Sequence, residues 1–351
     1  MVPVDEPQLR PQNGVQPALL GVVPEADGAV QAVRVRERER LQAELERAVD
    51  EVFGVGGPVE KRVVRVAVQF GILRGMPLTA KTIAFIGGGT MGEAMIRGIL
   101  QERIQPSAII ATGPRAARRE ELVKRFGIRV SESNVEAAKT SDVVVLAVKP
   151  QVLPTVLREL RGEIGKDALV LSIVAGASLR TITDGLGHEI AVRAMPNTPA
   201  QVGRGIAVWC ATRAVDEAHR GQARAILGAL GEEVFVEDED LVDMATAVSG
   251  TGPTYVFLLM EALVDAAVHL GFSRRVAEQL VLSTVEGSAA FARSSGKHLA
   301  ELRNQVTSPG GTSAAAIYQL EKGSLRTVLS KAVYAAFQRT RELGEMAERK
   351  K

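Results

Sequence analysis

Gly87, Gly89 and Gly92 stand at G-x-G-x-x-G spacing, directly after the apolar run Ile83-Ala-Phe-Ile86 and ahead of an apolar pattern at helical spacing (Met91, Met95, Ile99). That strand–turn–helix setting makes the spacing a dinucleotide signal rather than a chance match. Gly87 permits a tight turn, Gly89 lets a pyrophosphate approach the backbone, and Gly92 lets the helix pack close to the strand. The helix N-terminus adds free N–H donors and a partial positive charge. The plain alternative is a glycine-rich turn with no ligand.

The next strand carries the cofactor preference. NAD sites usually place Asp or Glu about 20 residues beyond the glycines, on the ribose 2′-hydroxyl. Here the strand ends in Thr112-Gly-Pro-Arg115, with Arg118 and Arg119 following. No acid and several guanidinium groups favour a 2′-phosphate, hence NADP. Arg115 is the best placed of the three, with Arg118 and Arg119 expected on the solvated face of the following helix.

Composition excludes several other chemistries. The chain has 43 basic and 41 acidic side chains, so no net field points to nucleic acid. Its single cysteine, Cys210, rules out an internal disulfide or a cysteine-based zinc cluster and suits a reducing cytoplasm. Cys210 sits in the apolar run Gly205-Ile-Ala-Val-Trp-Cys-Ala211 and reads as a buried small side chain rather than a nucleophile. The four histidines lack metal-ligand spacing, and no metal is expected. No stretch is expected to reach the ~20 apolar residues of a membrane span. The start, Met1-Val-Pro-Val-Asp-Glu, lacks the plan of a signal peptide.

These groups must be held by a regular frame, and the pattern supplies one. Strands are expected at 83–86, 108–111, 142–148, 168–173 and 190–195, separated by helical stretches such as 116–126, which stops at Gly127. Asn134 opens a short helix as its cap or as an adenine contact. Strands ending in small or polar residues on one edge describe a nucleotide cleft, and residues 81–239 read as a doubly wound α/β domain. From Asp240 onward the period is helical. Helices are expected at 240–248, 254–270, 274–293 (capped by Ser273), 299–306, 314–321 and 325–349, with breaks at Ser249-Gly-Thr-Gly-Pro253 and Thr307-Ser-Pro-Gly-Gly-Thr-Ser313. Tyr255-Val-Phe-Leu-Leu-Met260 is apolar all round, and residues 240–351 are too few to bury it, so burial between subunits is expected.

Residues 1–80 differ from the rest. The first part is rich in Pro, Gly, Gln and Val without a period, 33–53 reads as a charged amphipathic helix, and 61–73 as a weak strand. Three readings stand: an arm that contacts a partner or RNA, a poorly ordered extension, or an upstream stretch ahead of a chain start at Met76. Basic and acidic residues cancel, which favours the poorly ordered extension over the arm.

The chain resembles the pyrroline-5-carboxylate reductase family. The resemblance rests on Phe85-Ile-Gly-Gly-Gly-Thr-Met-Gly92, Ala147-Val-Lys-Pro150, Met195-Pro-Asn-Thr-Pro199, Ser249-Gly-Thr-Gly-Pro253 and Leu302-Arg-Asn-Gln-Val-Thr-Ser-Pro-Gly-Gly-Thr312, in the family's order and spacing over about residues 81–351. It implies a Rossmann-type NADP-binding domain followed by an all-α dimerisation domain, in dimers or rings of dimers. The implied reaction is hydride transfer from NADPH, or NADH, to the imine carbon of 1-pyrroline-5-carboxylate, giving L-proline. Cofactor contacts implied by the resemblance are Gly87, Gly89, Thr90, Met91, Thr112, Asn134, Val148, Lys149, Pro150, Ala175 and Asn197. Lys149 reads as a lysine at a strand edge rather than a catalytic acid.

That chemistry needs geometry more than a strong acid, because a protonated or hydrogen-bonded imine accepts hydride readily. Residues 308–313 precede a helix, so their N–H groups can hold the substrate carboxylate while Gly310 and Gly311 let it come close; Ser308 lines the same turn. The hydroxyl that bonds the ring nitrogen is a threonine in the family at the position of Ser313. Serine keeps the hydroxyl and loses the methyl that fixes its rotamer, and Thr312 is the neighbouring alternative. Thr251 and Asn304 are further departures from the family pattern. β-Hydroxyacid dehydrogenases share the glycine turn but need paired asparagines beside a lysine, and no Asn-Asn pair occurs here. The rivals left are a reductase of another cyclic imine acid and a non-catalytic NADP-binding homologue.

Overall fold

The computed structural model describes residues 78, 80–102 and 104–348. The expectations for the first 77 residues fall outside them. The first strand, β1 (Ile83–Ile86), is apolar at every position and wholly buried, as a strand covered on both faces must be. Its side chains alternate between two cores. Ile83 and Phe85 enter one with Met95, Ile96, Ile99 and Trp209, while Ala84 and Ile86 enter the other with Leu153, Leu157 and Ile182. Helices α1 (Thr90–Gln101) and α2 (Ala116–Phe126) contribute to the first core; α3 (Asn134–Lys139), α4 (Leu153–Leu160) and α5 (Leu179–Leu186) contribute to the second.

The remaining strands are β2 (Ile109–Thr112), β3 (Arg129–Ser131), β4 (Val143–Leu146), β5 (Leu169–Ser172), β6 (Ala191–Met195), β7 (Gly205–Ala211) and β8 (Gly231–Phe235). They form one eight-stranded sheet in the order β3-β2-β1-β4-β5-β6-β7-β8. Pairing is parallel from β3 to β6; β7 runs antiparallel to β6, and β8 parallel to β7. Helix α6 (Glu217–Gly228) joins the last two strands. The order reverses between β1 and β4, and ligands of such sheets bind at the carboxyl ends of strands at that point. The sequence reading missed β3, β7 and β8. β3 is three residues long and half exposed, and β8 alternates between partly covered and exposed positions at the edge. Neither shows the buried apolar run that marks the inner strands.

Helix α7 (Asp240–Ala245) begins the helical part and is bolted to the sheet through Arg193 on β6. Arg193 is buried and pairs with Glu239 at 2.9 Å and with Asp243. Burial alone would lower the Arg193 pKa, but the charges and hydrogen bonds of Asp243 and Glu239 outweigh it and raise it. Arg193→Ala strands two partly covered carboxylates. It should cost about 3 kcal/mol and lower the melting temperature by roughly 6–12 °C, measured by calorimetry. Cys210 is paired opposite Arg193 across β6 and β7 and is 1% exposed. Burial, followed by the Glu239 charge, pushes its thiol up to about 12. The thiol should therefore stay unlabelled by maleimide at pH 8 until the protein is unfolded.

After α7 the chain does not leave the helix at Ser249-Gly-Thr-Gly-Pro253, as expected from sequence. It widens into one π turn (Thr246–Gly250) and continues as α8 (Gly252–His269). The Thr251 N–H and hydroxyl both donate to the Thr246 carbonyl, at 2.8 and 3.0 Å, and so close the turn. This continuity corrects the expectation about membrane spans: Asp240–His269 is long and apolar enough to cross a membrane by length and composition. Then follow α9 (Arg274–Ser295), α10 (Leu299–Gln305), α11 (Thr312–Lys322) and α12 (Leu325–Glu348). Ser273 caps α9, its hydroxyl accepting from the Val276 N–H. The helices share one small buried cluster, Val264, Ala277 and Val281, and leave Val256, Phe257, Leu258 and Leu259 of α8 exposed.

Candidate active site

The glycine turn lies at the switch between β1 and β4. Gly87 has φ +108°, and a Cβ there would meet the Ala147 carbonyl oxygen at 2.7 Å, so only glycine lets β1 turn beside the end of β4. A Cβ on Gly92 would strike the Gly87 carbonyl at 2.6 Å, which seats α1 against the turn. Gly89 is different: nothing lies within 4 Å of the place a Cβ would take. It is the N-terminal boundary residue of α1, with no side-chain cap, and the N–H groups of Gly89, Thr90 and Met91 find no acceptor among the described residues. An open space faced by unpaired donors at the end of a 12-residue helix fits a pyrophosphate.

The other expected cofactor residues fall on the same sheet edge. Thr112 ends β2, Val148, Lys149 and Pro150 follow β4, Ala175 follows β5, and Asn197 follows β6. Their states differ. Thr112 is 1% exposed and donates to Asn134 Oδ1 at 2.6 Å, so it orients Asn134 more than it faces the cleft. Asn134 does not cap α3. Ser133 does, accepting from the Glu136 N–H at 3.1 Å, and the Asn134 amide also donates to Glu159 at 2.9 Å. Lys149 is exposed. Ala175 belongs to a turn that the last helix supports, because Gly176 (φ +73°) meets the Gly344 backbone so closely that a Cβ would sit 3.1 Å from the Gly344 nitrogen.

Asn197 is spoken for at both ends. Its Oδ1 accepts from the Ile206 N–H at 3.0 Å and its amide donates to the Ser249 carbonyl at 3.2 Å. It thus latches the end of β6 to the π turn, where Met195 packs against Gly250. Sequence reading had only its place in Met195-Pro-Asn-Thr-Pro199 to go on, and a latch that spans 52 residues leaves no local signature.

The three arginines sort differently from the sequence expectation. Arg118 and Arg119 are not on a solvated face. Arg118 Nε donates to the Gly88 carbonyl at 2.9 Å, and Arg119 donates to the Gly113 carbonyl at 2.6 Å and pairs with Glu132. Both reach back over the strand ends because α2 starts immediately beyond β2 and runs antiparallel along it. Arg115, at the N-terminal boundary of α2, is exposed, and its guanidinium takes no hydrogen bond or ion pair among the described residues. Of the three, it is the one whose guanidinium is open to a ligand. Arg115→Ala should raise the KM for NADPH by about tenfold and leave that for NADH unchanged, read from initial rates with each cofactor.

The second half of the site is the turn before α11. Gly310 has φ +71°, and Gly311 is the N-terminal boundary residue of the helix; a Cβ there would lie 2.4 Å from Ser308 Oγ. The Gly311 N–H closes the turn on the Ser308 carbonyl at 3.0 Å. Helix α11 begins at Thr312, two residues earlier than the sequence suggested, so Thr312 and Ser313 form its first turn. Thr307 spends its hydroxyl on the Arg303 carbonyl at 2.7 Å. The hydroxyls of Ser308, Thr312 and Ser313 take no such bond among the described residues. Asn304 accepts from Arg303 and is exposed. Every hydrogen bond described in loop 307–313 stays within the loop and its flanking helices, so within one chain none ties the two halves together.

Residues 239–343 match the family model described as pyrroline-5-carboxylate reductase dimerisation, and residues 82–176 match that described as NADP oxidoreductase, coenzyme F420-dependent. A pyrroline-5-carboxylate reductase of Synechocystis is 44% identical over 264 residues, covering 75% of this chain and 98% of the relative. One from Arabidopsis thaliana is 37% identical, over 77% of this chain and 99% of its own length. Among solved structures, the Coxiella burnetii pyrroline-5-carboxylate reductase superposes with a TM-score of 0.70 at 38% identity, covering 75% of this chain and 98% of that one. The Plasmodium falciparum enzyme, solved with NADP bound, gives 0.69 at 32% identity over the same shares.

Proposed function

The chain belongs to the pyrroline-5-carboxylate reductase family, and we propose from that premise that it reduces 1-pyrroline-5-carboxylate to L-proline with NADPH, the last step of proline biosynthesis. The observation that carries the reading is the pair of uncommitted hydroxyls, Thr312 and Ser313, in the first turn of α11, beside unpaired helix N–H groups.

Bound NADPH would supply the hydride to the imine carbon. The turn at Gly87, Gly89, Thr90, Met91 and Gly92 would hold the pyrophosphate, Arg115 the 2′-phosphate, and Val148, Lys149, Pro150 and Ala175 the wall of the cleft. Thr112 and Asn134 shape its adenine end. The N–H groups at Thr312 and Ser313 would take the substrate carboxylate, with Ser308, Gly310 and Gly311 forming the turn around it. When the C=N π pair moves to nitrogen, the ring nitrogen becomes an amine, and the Ser313 hydroxyl would bond it; Thr312 is the second choice. The nitrogen keeps the proton it carried as an iminium, so no strong acid is required. With NADPH deuterated at the transferred position, the label should appear on C5 of the product ring. Label elsewhere, or unlabelled proline, would contradict the direct transfer.

A dimer completes this site. Phe257 and Leu258 of α8 line a groove of about 600 Å³ with Thr254, Glu261 and Arg274, and a second copy of the same helices is the occupant that fits a dimerisation family. Through it, the loop 307–313 of one copy would meet the sheet edge of the other. Leu258→Asp would bury a carboxylate in that seam and should weaken self-association by about 100-fold or more, with loss of turnover, measured by sedimentation. We place the protein in the cytoplasm on the strength of its lone buried thiol.

A further inference from the structure

Arg118 lies behind the cofactor turn rather than on it. Its Nε donates to the Gly88 carbonyl at 2.9 Å, while its two terminal nitrogens donate to Glu93 at 2.5 Å and Glu121 at 2.7 Å. A fifth of the side chain is exposed. On the other side of the same residue, the Gly88 N–H donates to the Thr112 carbonyl at 2.9 Å. Gly88 is therefore held at both its polar groups, by β2 and by α2.

A trans peptide points its C=O and the next N–H to opposite sides. With the Gly88 carbonyl fixed toward Arg118, the Gly89 N–H must face away from it, and that N–H has no acceptor among the described residues.

Glu93 adds a second requirement. Its carboxylate sits in the first turn of α1, good for the helix dipole but unfavourable to a nearby phosphate. Three guanidinium groups close on it: Arg118, Arg125 at 2.7 Å and Arg97 at 2.8 Å. Burial works against the carboxylate, yet the hydrogen bond and charge of Arg118, then those of Arg125, hold its pKa below the ordinary range.

We propose that Arg118 is a positioning residue for the cofactor: its guanidinium fixes the Gly88–Gly89 peptide so that the turn's N–H groups face the pyrophosphate, and it helps to mask Glu93, without reaching the ligand itself. The proposal rests on the reading that loop 87–92 binds NADPH. A positioning role through the turn differs from a 2′-phosphate contact in one clear respect. The pyrophosphate is common to both cofactors, so NADPH and NADH must suffer alike.

The test uses the full chain and its Arg118→Met and Arg118→Lys variants, with NADPH and NADH binding followed by calorimetry and amide hydrogen exchange measured on the ligand-free proteins. Methionine keeps the aliphatic stem, and Glu93 retains Arg97 and Arg125. Arg118→Met should weaken NADPH and NADH by the same factor, about tenfold, and speed exchange at Gly88, whose N–H is held by the Thr112 carbonyl, while leaving β4 unchanged. Lysine restores the charge but not the fork that spans Gly88 and Glu93, so Arg118→Lys should stay closer to the methionine variant than to the unaltered protein. Unchanged binding in a folded methionine variant would overturn the proposal. So would full rescue by lysine, which would reduce the effect to charge, or a loss confined to NADPH, which would make Arg118 a phosphate contact. Should the methionine variant fail to fold, the lysine variant decides by the same two readouts. Absence of NADPH binding by the unaltered protein would remove the cofactor reading itself, and the proposal with it.

Discussion

Gly89→Ala should leave the melting temperature of the ligand-free protein essentially unchanged while raising the Kd for NADPH by about 100-fold or more. The backbone of Gly89, at φ −74° and ψ −172°, suits alanine, and nothing stands within 4 Å of the added carbon. No described residue stands in the methyl's way, so what it would obstruct is a ligand lying on the turn. Gly87→Ala is the contrasting case. There the residue sits at φ +108° with the Ala147 carbonyl 2.7 Å from the new carbon, so both stability and binding should fall. The pair separates a glycine needed by the fold from one needed by the phosphate, and calorimetry on the two variants reads both quantities.

Ser313→Ala should lower kcat by about 100-fold with a smaller change in the KM for the imine. The hydroxyl matters most as the ring nitrogen turns from imine to amine, whereas the N–H groups that hold the carboxylate are untouched. Thr312→Val is the control at the adjoining position and should cost far less. Ser313→Thr, which adds the methyl that limits rotamers, should keep or raise kcat. A silent Ser313→Ala with a crippled Thr312→Val would move the role one residue back along α11.

The inner strands and their helices were legible because burial on both faces forces continuous apolar runs, as in Val143–Leu146, and because Gly127 and Ser273 mark helix ends by their own chemistry. The glycine turn was legible for the same local reason. The outer strands β3 and β8 were not, since an edge strand with exposed charged residues carries no such run. Ser249-Gly-Thr-Gly-Pro253 looked like a break; the Thr246 carbonyl accepts twice from Thr251 and keeps the helix going as a π turn. At the candidate site, the motifs marked the turn after β1 and the turn before α11 but not the tasks of individual side chains. Asn197, Arg118 and Arg119 act on backbone groups remote in sequence, and such bonds exist only once the sheet has formed.

The central claim is tested most directly by following NADPH oxidation by the full chain with 1-pyrroline-5-carboxylate, identifying the product, and running a six-membered cyclic imine acid in parallel. Rapid, substrate-dependent oxidation yielding L-proline, with the six-membered ring turned over poorly, is the predicted result. Preference for the larger ring would assign a different cyclic imine acid as substrate. NADPH binding without oxidation of either substrate would contradict the account and leave a cofactor-binding protein without this reaction.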